Sequence, residues 1–269
     1  MRQLCFACAA ALLIGIIGGP ASASACAGLS EGPDGVVSAV LDGNTFVLDS
    51  GIVVRLIGAV APFPAGKRAG SVAEPLAEEA KAALGQLILG KAVTLGLDEE
   101  ETDRYGHMEA QVFLAEPGGA WVEAEMVARG LARVEPRQKL RRCLAELIAA
   151  EAGARARALG IWADPYYSVR DAGDPAILAG RTGHYEVIEG EVIGTGESRG
   201  RVYLDFGRVW KDDVTATIDQ KARGLFADMN LDPLSLKGQR VRARGWIENR
   251  DGPLIQIDVP EQLEVLGSE

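Results

Sequence analysis

The sequence predicts a mainly β fold with helices, of the α+β class, made of two small five-stranded barrels in series. Three observations lead there. A chain of 269 residues exceeds what one hydrophobic core usually serves, about 250 residues. From Gly35 to Leu56 the chain alternates short runs of β-formers with Asp, Asn and Gly turns, and short strand-like runs recur beyond residue 184. The order three strands, helix, two strands occurs twice. With nearly half of its residues apolar, a quarter charged and no low-complexity tract, the chain is that of a folded protein.

The first unit opens as a meander. Strands over 36–41, 45–48 and 52–57 are separated by the turns Asp42-Gly43-Asn44 and Asp49-Ser50-Gly51, where small polar residues and glycine satisfy the turn backbone. A helix follows over 74–89, rich in Ala and Leu at helical spacing and closed by Gly90. Strands over 93–97 and 108–114 flank the acidic segment 98–106, and helices over 121–129 and 140–159 end at Gly130 and Gly160. That order describes a barrel of OB type with helices packed on it. The stretch 164–183, with Asp164-Pro165, Asp174-Pro175 and several glycines, reads as a linker. Beyond it come strands over 185–193, 201–206 and 214–218, a helix over 221–229, and strands over 239–248 and 253–259, a second OB-like barrel.

The expected division is therefore a leader over 1–25, a first domain over 35–163, a linker over 164–183 and a second domain over 184–267. The leader rests on Arg2, the apolar run 4–19 and the small residues 21–25, the pattern of a secretory signal peptide. The run falls short of the roughly 20 residues that span a bilayer. Export to a periplasmic or extracellular space follows, with a mature chain starting at Cys26. A lipoprotein acylated at Cys26 fits less well, because Ala23 stands where a larger aliphatic residue is usual. Of four cysteines, Cys5 and Cys8 leave with the leader, and Cys26 and Cys143 are expected to form a disulfide.

Formal charge is −10, and neither half is basic overall. Nucleic-acid binders usually carry a basic footprint, because lysines and arginines release the counterions around phosphates. The acidic balance argues against a nucleic-acid partner and leaves a protein or an anionic ligand. Arg133, Arg137, Lys139, Arg141 and Arg142 make the one concentrated basic stretch, read as a solvated helix start.

Six ordered segments carry a family resemblance: Asp42-Gly43-Asn44-Thr45, Val54-Arg55-Leu56-Ile57-Gly58, Ala61-Pro62, Asp103-Arg104-Tyr105-Gly106, the run MVARGLA over 126–132, and Gly160-Ile161-Trp162. Through them the first domain resembles the staphylococcal nuclease (thermonuclease) family, which implies a five-stranded barrel and calcium-dependent cleavage of DNA and RNA. The resemblance assigns the phosphate-gripping arginines to Arg55 and to the position of His107. It places the calcium-binding aspartates at Asn44 and Val60, the segment's threonine at Ala61 and the general base at Phe63. Five of these six family positions, all but Arg55, are thus replaced.

Calcium takes six to eight hard oxygens and draws its affinity from carboxylates, which neither Asn44 nor Val60 supplies. A general base contributes about 10²–10⁴-fold, and Phe63 has none to offer. Asp42, Asp49 and Glu74 are the nearby acids that could stand in, but the first two suit tight turns and Glu74 suits a helix start. No cofactor is expected, calcium only if the site has been rebuilt.

The second domain interleaves aromatic and charged residues, and Tyr203, Trp210, Arg242, Arg244 and Trp246 are its candidate binding residues. The alternation over 240–246 equally suits a strand with Val241 and Ala243 inward and the arginines outward. His184 has no metal-ligand companion in the sequence and reads as structural. Three functional readings follow: a non-catalytic exported protein that binds a partner or ligand, a weakened or relocated phosphodiesterase, and a structural envelope protein.

Overall fold

The structure, a computed structural model, describes residues 26, 28–66, 72–97, 102–103, 105–209 and 212–267. The predicted leader, the acidic run 98–101, Arg104 and Trp210 lie outside the described residues.

The first barrel is built from β1 (Ser30–Glu31), β2 (Gly35–Asp42), β3 (Thr45–Leu48), β4 (Val53–Leu56), β5 (Ala59–Val60), β6 (Ala92–Leu97) and β7 (Met108–Leu114), with α1 (Ala77–Ile88) between β5 and β6. The strands β2, β3 and β4 form the expected meander; β4 lies parallel to β7, β7 is antiparallel to β6, and β6 returns to β2. The ring therefore closes, which removes the exposed edges a five-stranded sheet would otherwise carry. Phe46, Leu48, Val54, Leu56, Leu95 and Val112 point inward and are buried. Then come α2 (Val122–Ala128), the short strand β8 (Arg133–Val134), which pairs with β5, and α3 (Arg141–Ala156).

Gly43 in the first turn is fixed by close packing, since a Cβ there would sit 2.7 Å from the Cβ of Ala61. Cys26 and Cys143 are joined by a disulfide across 117 residues of sequence, tying the start of the described chain to α3.

The segment 164–183 carries a turn of 3-10 helix, β9 (Arg170–Asp171) and α4 (Pro175–Ala179), the latter started by Asp174, whose side chain accepts from the Ile177 N–H. Tyr167 and Leu178 are buried from it, Leu178 in the second core. The second sheet contains β10 (Tyr185–Glu191), β11 (Gly194–Ser198), β12 (Arg201–Asp205), β13 (Thr215–Ile218), β14 (Arg240–Asn249), β15 (Pro253–Ile257) and β16 (Leu263–Val265), with α5 (Gln220–Asp228) after β13.

Taken as one bent strand, β10 and β11 pair at one end with β14 and at the other with β12. The path then runs from β12 to β13, in parallel to β15, and antiparallel to β14. This is the same closed order as in the first barrel. Val202, Leu204, Ala216, Ile218, Val241, Ala243, Ile255 and Ile257 fill it.

The barrels pack on one another through named polar contacts. The Tyr185 hydroxyl donates to Val134 O at 2.6 Å, the Trp246 indole N–H to Glu135 Oε1 at 2.7 Å, and the Tyr167 hydroxyl to Pro75 O at 2.7 Å. Arg244, 1% exposed, binds Glu151 of α3 and Glu264 of β16. Glu186 is fully buried among Arg133, Arg170 and Arg181, at 3.9, 3.6 and 2.5 Å. A buried carboxylate costs several kcal/mol unless it is paired and hydrogen-bonded; Arg181 hydrogen-bonds Oε1, while Oε2 has Arg133 and Arg170 at ion-pair distance and no hydrogen bond.

Candidate functional site

The turn between β2 and β3 sets the first part of the site. Asp42 Oδ1 accepts the Asn44 N–H at 3.1 Å, an Asx turn. Asn44 itself is buried; its Nδ2 donates to Ala59 O at 3.4 Å, and its Oδ1 accepts from the Thr45 hydroxyl at 3.4 Å. Both ends of the amide are thus used inside the protein. Val60 and Ala61 are 2% and 4% exposed, Val60 held in β5 against Arg133 of β8.

Arg55 stands in β4, opposite Thr45 on one side and Glu109 on the other. Its guanidinium lies 3.7 Å from Asp103 Oδ2, and His107 Nδ1 lies 3.0 Å from the same oxygen. Asp103 Oδ1 accepts the backbone N–H groups of Tyr105 at 2.8 Å and His107 at 3.0 Å. Partial burial pushes the Asp103 carboxyl up, but those two N–H groups and the His107 ring outweigh it and hold it below the usual carboxylate range. The structure thus brings Arg55 and His107 together on one carboxylate.

Phe63 and Glu74 form the other part. The Phe63 N–H donates to Glu74 Oε2 at 3.0 Å and the Glu74 N–H donates back to Phe63 O at 2.8 Å. Glu74 Oε1 accepts the Tyr166 hydroxyl at 3.3 Å and lies 3.1 Å from His184 Nδ1. The Phe63 ring meets Trp246 of the second barrel, centroids 6.0 Å apart. Glu74 is thereby drawn out of the helix that its sequence position suggests, and α1 begins three residues later, at Ala77. Next to it, Glu135 links the barrels: it takes the Trp246 indole on one oxygen and Arg137 on the other, and Arg137 reaches Glu109 at 3.1 Å. Those two carboxylates outweigh the burial of Arg137 and raise its already high pKa.

Residues 53–164 match the family model described as staphylococcal nuclease homologue. Residues 53–164 form a staphylococcal nuclease homologue domain. No curated protein matches the chain. The match begins at β4, while β2 and β3, which carry the Asp42-Gly43-Asn44-Thr45 turn, complete the ring of this nuclease-homologue domain by pairing.

The donor set does not fit calcium. At the positions the family gives to metal-binding carboxylates the domain has an amide whose two ends are already hydrogen-bonded and a buried valine, and this cation wants several charged oxygens.

In the second barrel, Arg242 is held by Glu189 at 2.7 Å and Glu264 at 2.6 Å, and Arg244 by Glu151 and Glu264. Val241 and Ala243 do point inward. The opposite face, which the alternation assigns to the outside, is the one that meets the nuclease-homologue domain, so Arg244 and Trp246 sit in the seam. Tyr203 is half-buried on β12, away from that seam, and Trp210 is outside the described residues.

Glu135, Glu151 and Glu186, the carboxylates that organise the seam, carry no mark in the sequence that separates them from surface glutamates. His184, which the sequence leaves without a partner, joins Glu74 and Tyr166.

Proposed function

We propose that the chain is an exported protein that uses a nuclease barrel without hydrolysing phosphodiesters and works by binding. One observation carries this: the segment where the family holds its general base is occupied by Phe63, whose ring is seated against Trp246 of the second barrel and whose backbone is tied to Glu74. Glu74, the acid tied to the Phe63 backbone, already has Phe63, Tyr166 and His184 on its two oxygens. Arg55 and His107 converge on Asp103, so a phosphate would compete with an internal anion. A carboxylate poised to activate water has no place in such an arrangement.

Export is supported by the leader pattern in the sequence and is compatible with the Cys26–Cys143 disulfide. Among the described residues no helix is long and apolar enough to cross a membrane.

Calorimetric titration of calcium into the mature protein tests the reading. It predicts no binding in the range where a nuclease of this fold would saturate. A saturable calcium site accompanied by hydrolysis of a labelled oligonucleotide would overturn it.

A further inference from the structure

The tip of the β11–β12 hairpin and the start of α5 border an open hollow of 820 Å³ on the second barrel, whose lining includes Arg199, Arg201, Tyr203, Asp219 and Lys221. Three of these are cations and one is an anion. Arg201 Nε donates to Asp219 Oδ1 at 2.6 Å, which neutralises that pair. Arg199 and Lys221 have no ion pair among the described residues. Elsewhere in this barrel the arginines are matched: Arg223 by Glu197, Arg240 and Arg242 by Glu189, Arg244 by Glu151 and Glu264, and Arg250 by Glu248. On a chain of formal charge −10, a hollow left with two positive charges is a local exception.

Neither cation is placed there by the needs of the fold. Ser198 pairs with Arg201, so Arg199 and Gly200 are the two residues of the hairpin turn, with φ of 52° and 79°. Turns of this kind favour Asn, Asp or Gly, because a left-handed backbone costs a residue with a Cβ about 1–2 kcal/mol. The turn is seated on the helix start, where a Cβ on Gly200 would lie 2.8 Å from Gln220 Oε1. Lys221 stands in the first turn of α5, the end of a helix that favours acidic side chains, and α5 has none there. Asp219, the residue before the helix, gives no side-chain cap and is held by Arg201 instead.

The neighbouring strand limits the size of the occupant. Tyr203 stands opposite Thr217 in the ladder, and cross-strand partners share a face of the sheet. Thr217 is buried, its hydroxyl donating to Gln256 Oε1 at 2.9 Å. The hollow therefore stops at β12, with no bed across β13 for a polymer of sugars or nucleotides. One compact group carrying two negative charges fits. Its donors come from three sides, the hairpin tip, β12 and the start of α5, which suits a tetrahedral oxyanion better than a carboxylate, whose two oxygens are gripped in one plane.

We propose that this hollow binds a phosphate dianion, free or as the terminal group of a phosphomonoester, with Arg199 and Lys221 on its oxygens and Arg201, positioned by Asp219, as the third donor. The site belongs to the second barrel alone and goes beyond the reading of the first barrel as non-hydrolytic, since it holds whether or not the first barrel cleaves phosphodiesters.

The test is calorimetric titration of the mature two-barrel protein, in chelator, with inorganic phosphate, phenyl phosphate, dimethyl phosphate, acetate and a single-stranded oligonucleotide with hydroxyl ends, repeated with Arg199→Asn and Lys221→Glu. Both replacements suit their backbone positions, so the melting temperature without phosphate should hold or rise. Inorganic phosphate should saturate the site, and each substitution should weaken it by about tenfold or more, the loss of one charge-assisted hydrogen bond. Saturation by phenyl phosphate as well marks a terminal phosphomonoester as the ligand, and its failure beside inorganic phosphate marks the free ion; both support the site. The monoanions dimethyl phosphate and acetate should bind at least about tenfold more weakly, since each engages one cation fewer. No saturation by either phosphate at millimolar concentration, equal affinity for dimethyl phosphate, tighter binding of the oligonucleotide, or indifference to both substitutions would overturn the assignment.

Discussion

Arg244→Met is the perturbation that probes the seam most sharply. Arg244 is 1% exposed and joins Glu151, itself fully buried on α3, to Glu264. The two carboxylates raise its pKa against the opposing effect of burial, so the guanidinium is charged at any accessible pH. Removing it leaves Glu151 with the Val134 N–H at 2.8 Å and Arg155 at 3.6 Å, and strips it of its closest cation. Breaking a buried pair from one side costs about 3–5 kcal/mol. At roughly 2–4 °C per kcal/mol for a chain of this size, the melting temperature falls by about 10 °C.

Glu151→Leu alone costs a similar amount, and the double variant Arg244→Met/Glu151→Leu recovers part of the sum, because no stranded charge remains. Thermal and urea denaturation followed by circular dichroism read all four proteins. A single-variant loss below about 1 kcal/mol, or strictly additive losses in the double variant, would refute the claim that this ion pair joins the barrels.

Three further outcomes follow from the same contacts. Phe63→Glu places a carboxylate against the Trp246 ring; it should lower stability by about 1.5–2.5 kcal/mol, half the cost of deleting a fully buried phenylalanine, and should generate no phosphodiester hydrolysis, read by melting and by oligonucleotide turnover. Burial raises the Glu123 carboxyl well above its usual 4.5, against the N–H of Val112. The folded state thus holds that proton more tightly than the unfolded chain, so its contribution is complete below pH 4.5 and is lost as pH rises through the folded value. Urea melts across pH should therefore show Glu123→Gln gaining on the parent as pH increases, and a constant difference would contradict this. Reducing the Cys26–Cys143 bridge opens a loop of 117 residues and should cost up to about 4–5 kcal/mol, measured by melting with and without reductant.

Much of the fold is legible because its strands are short runs of β-formers between obligate turns. The predicted strands over 45–48 and 108–114 coincide with β3 and β7, and the other long elements agree to within a few residues. The exceptions have physical causes. The β11 segment Gly194-Thr195-Gly196-Glu197-Ser198 has almost no strand propensity and is held by its ladder with β12. The 164–183 stretch looks like a linker by its prolines and glycines, yet Tyr167 and Leu178 anchor it, and the two prolines serve as first residues of short helical turns.

The site was half visible. The replacements at Asn44, Val60, Ala61 and Phe63 could be read against the family pattern, whereas the reason Phe63 suits its place, the Trp246 ring, lies nearly two hundred positions away. Strand alternation showed which way Arg244 and Trp246 point. It could not show that the outside of one barrel is the inside of a seam.

The most direct test of the account is cleavage of a fluorescent single-stranded oligonucleotide by the mature protein, with calcium and with chelator, beside Arg55→Ala. The account predicts no cleavage above the Arg55→Ala background in either condition. Calcium-dependent cleavage abolished by Arg55→Ala would contradict it and would mean that Arg55 serves an active site assembled from other ligands.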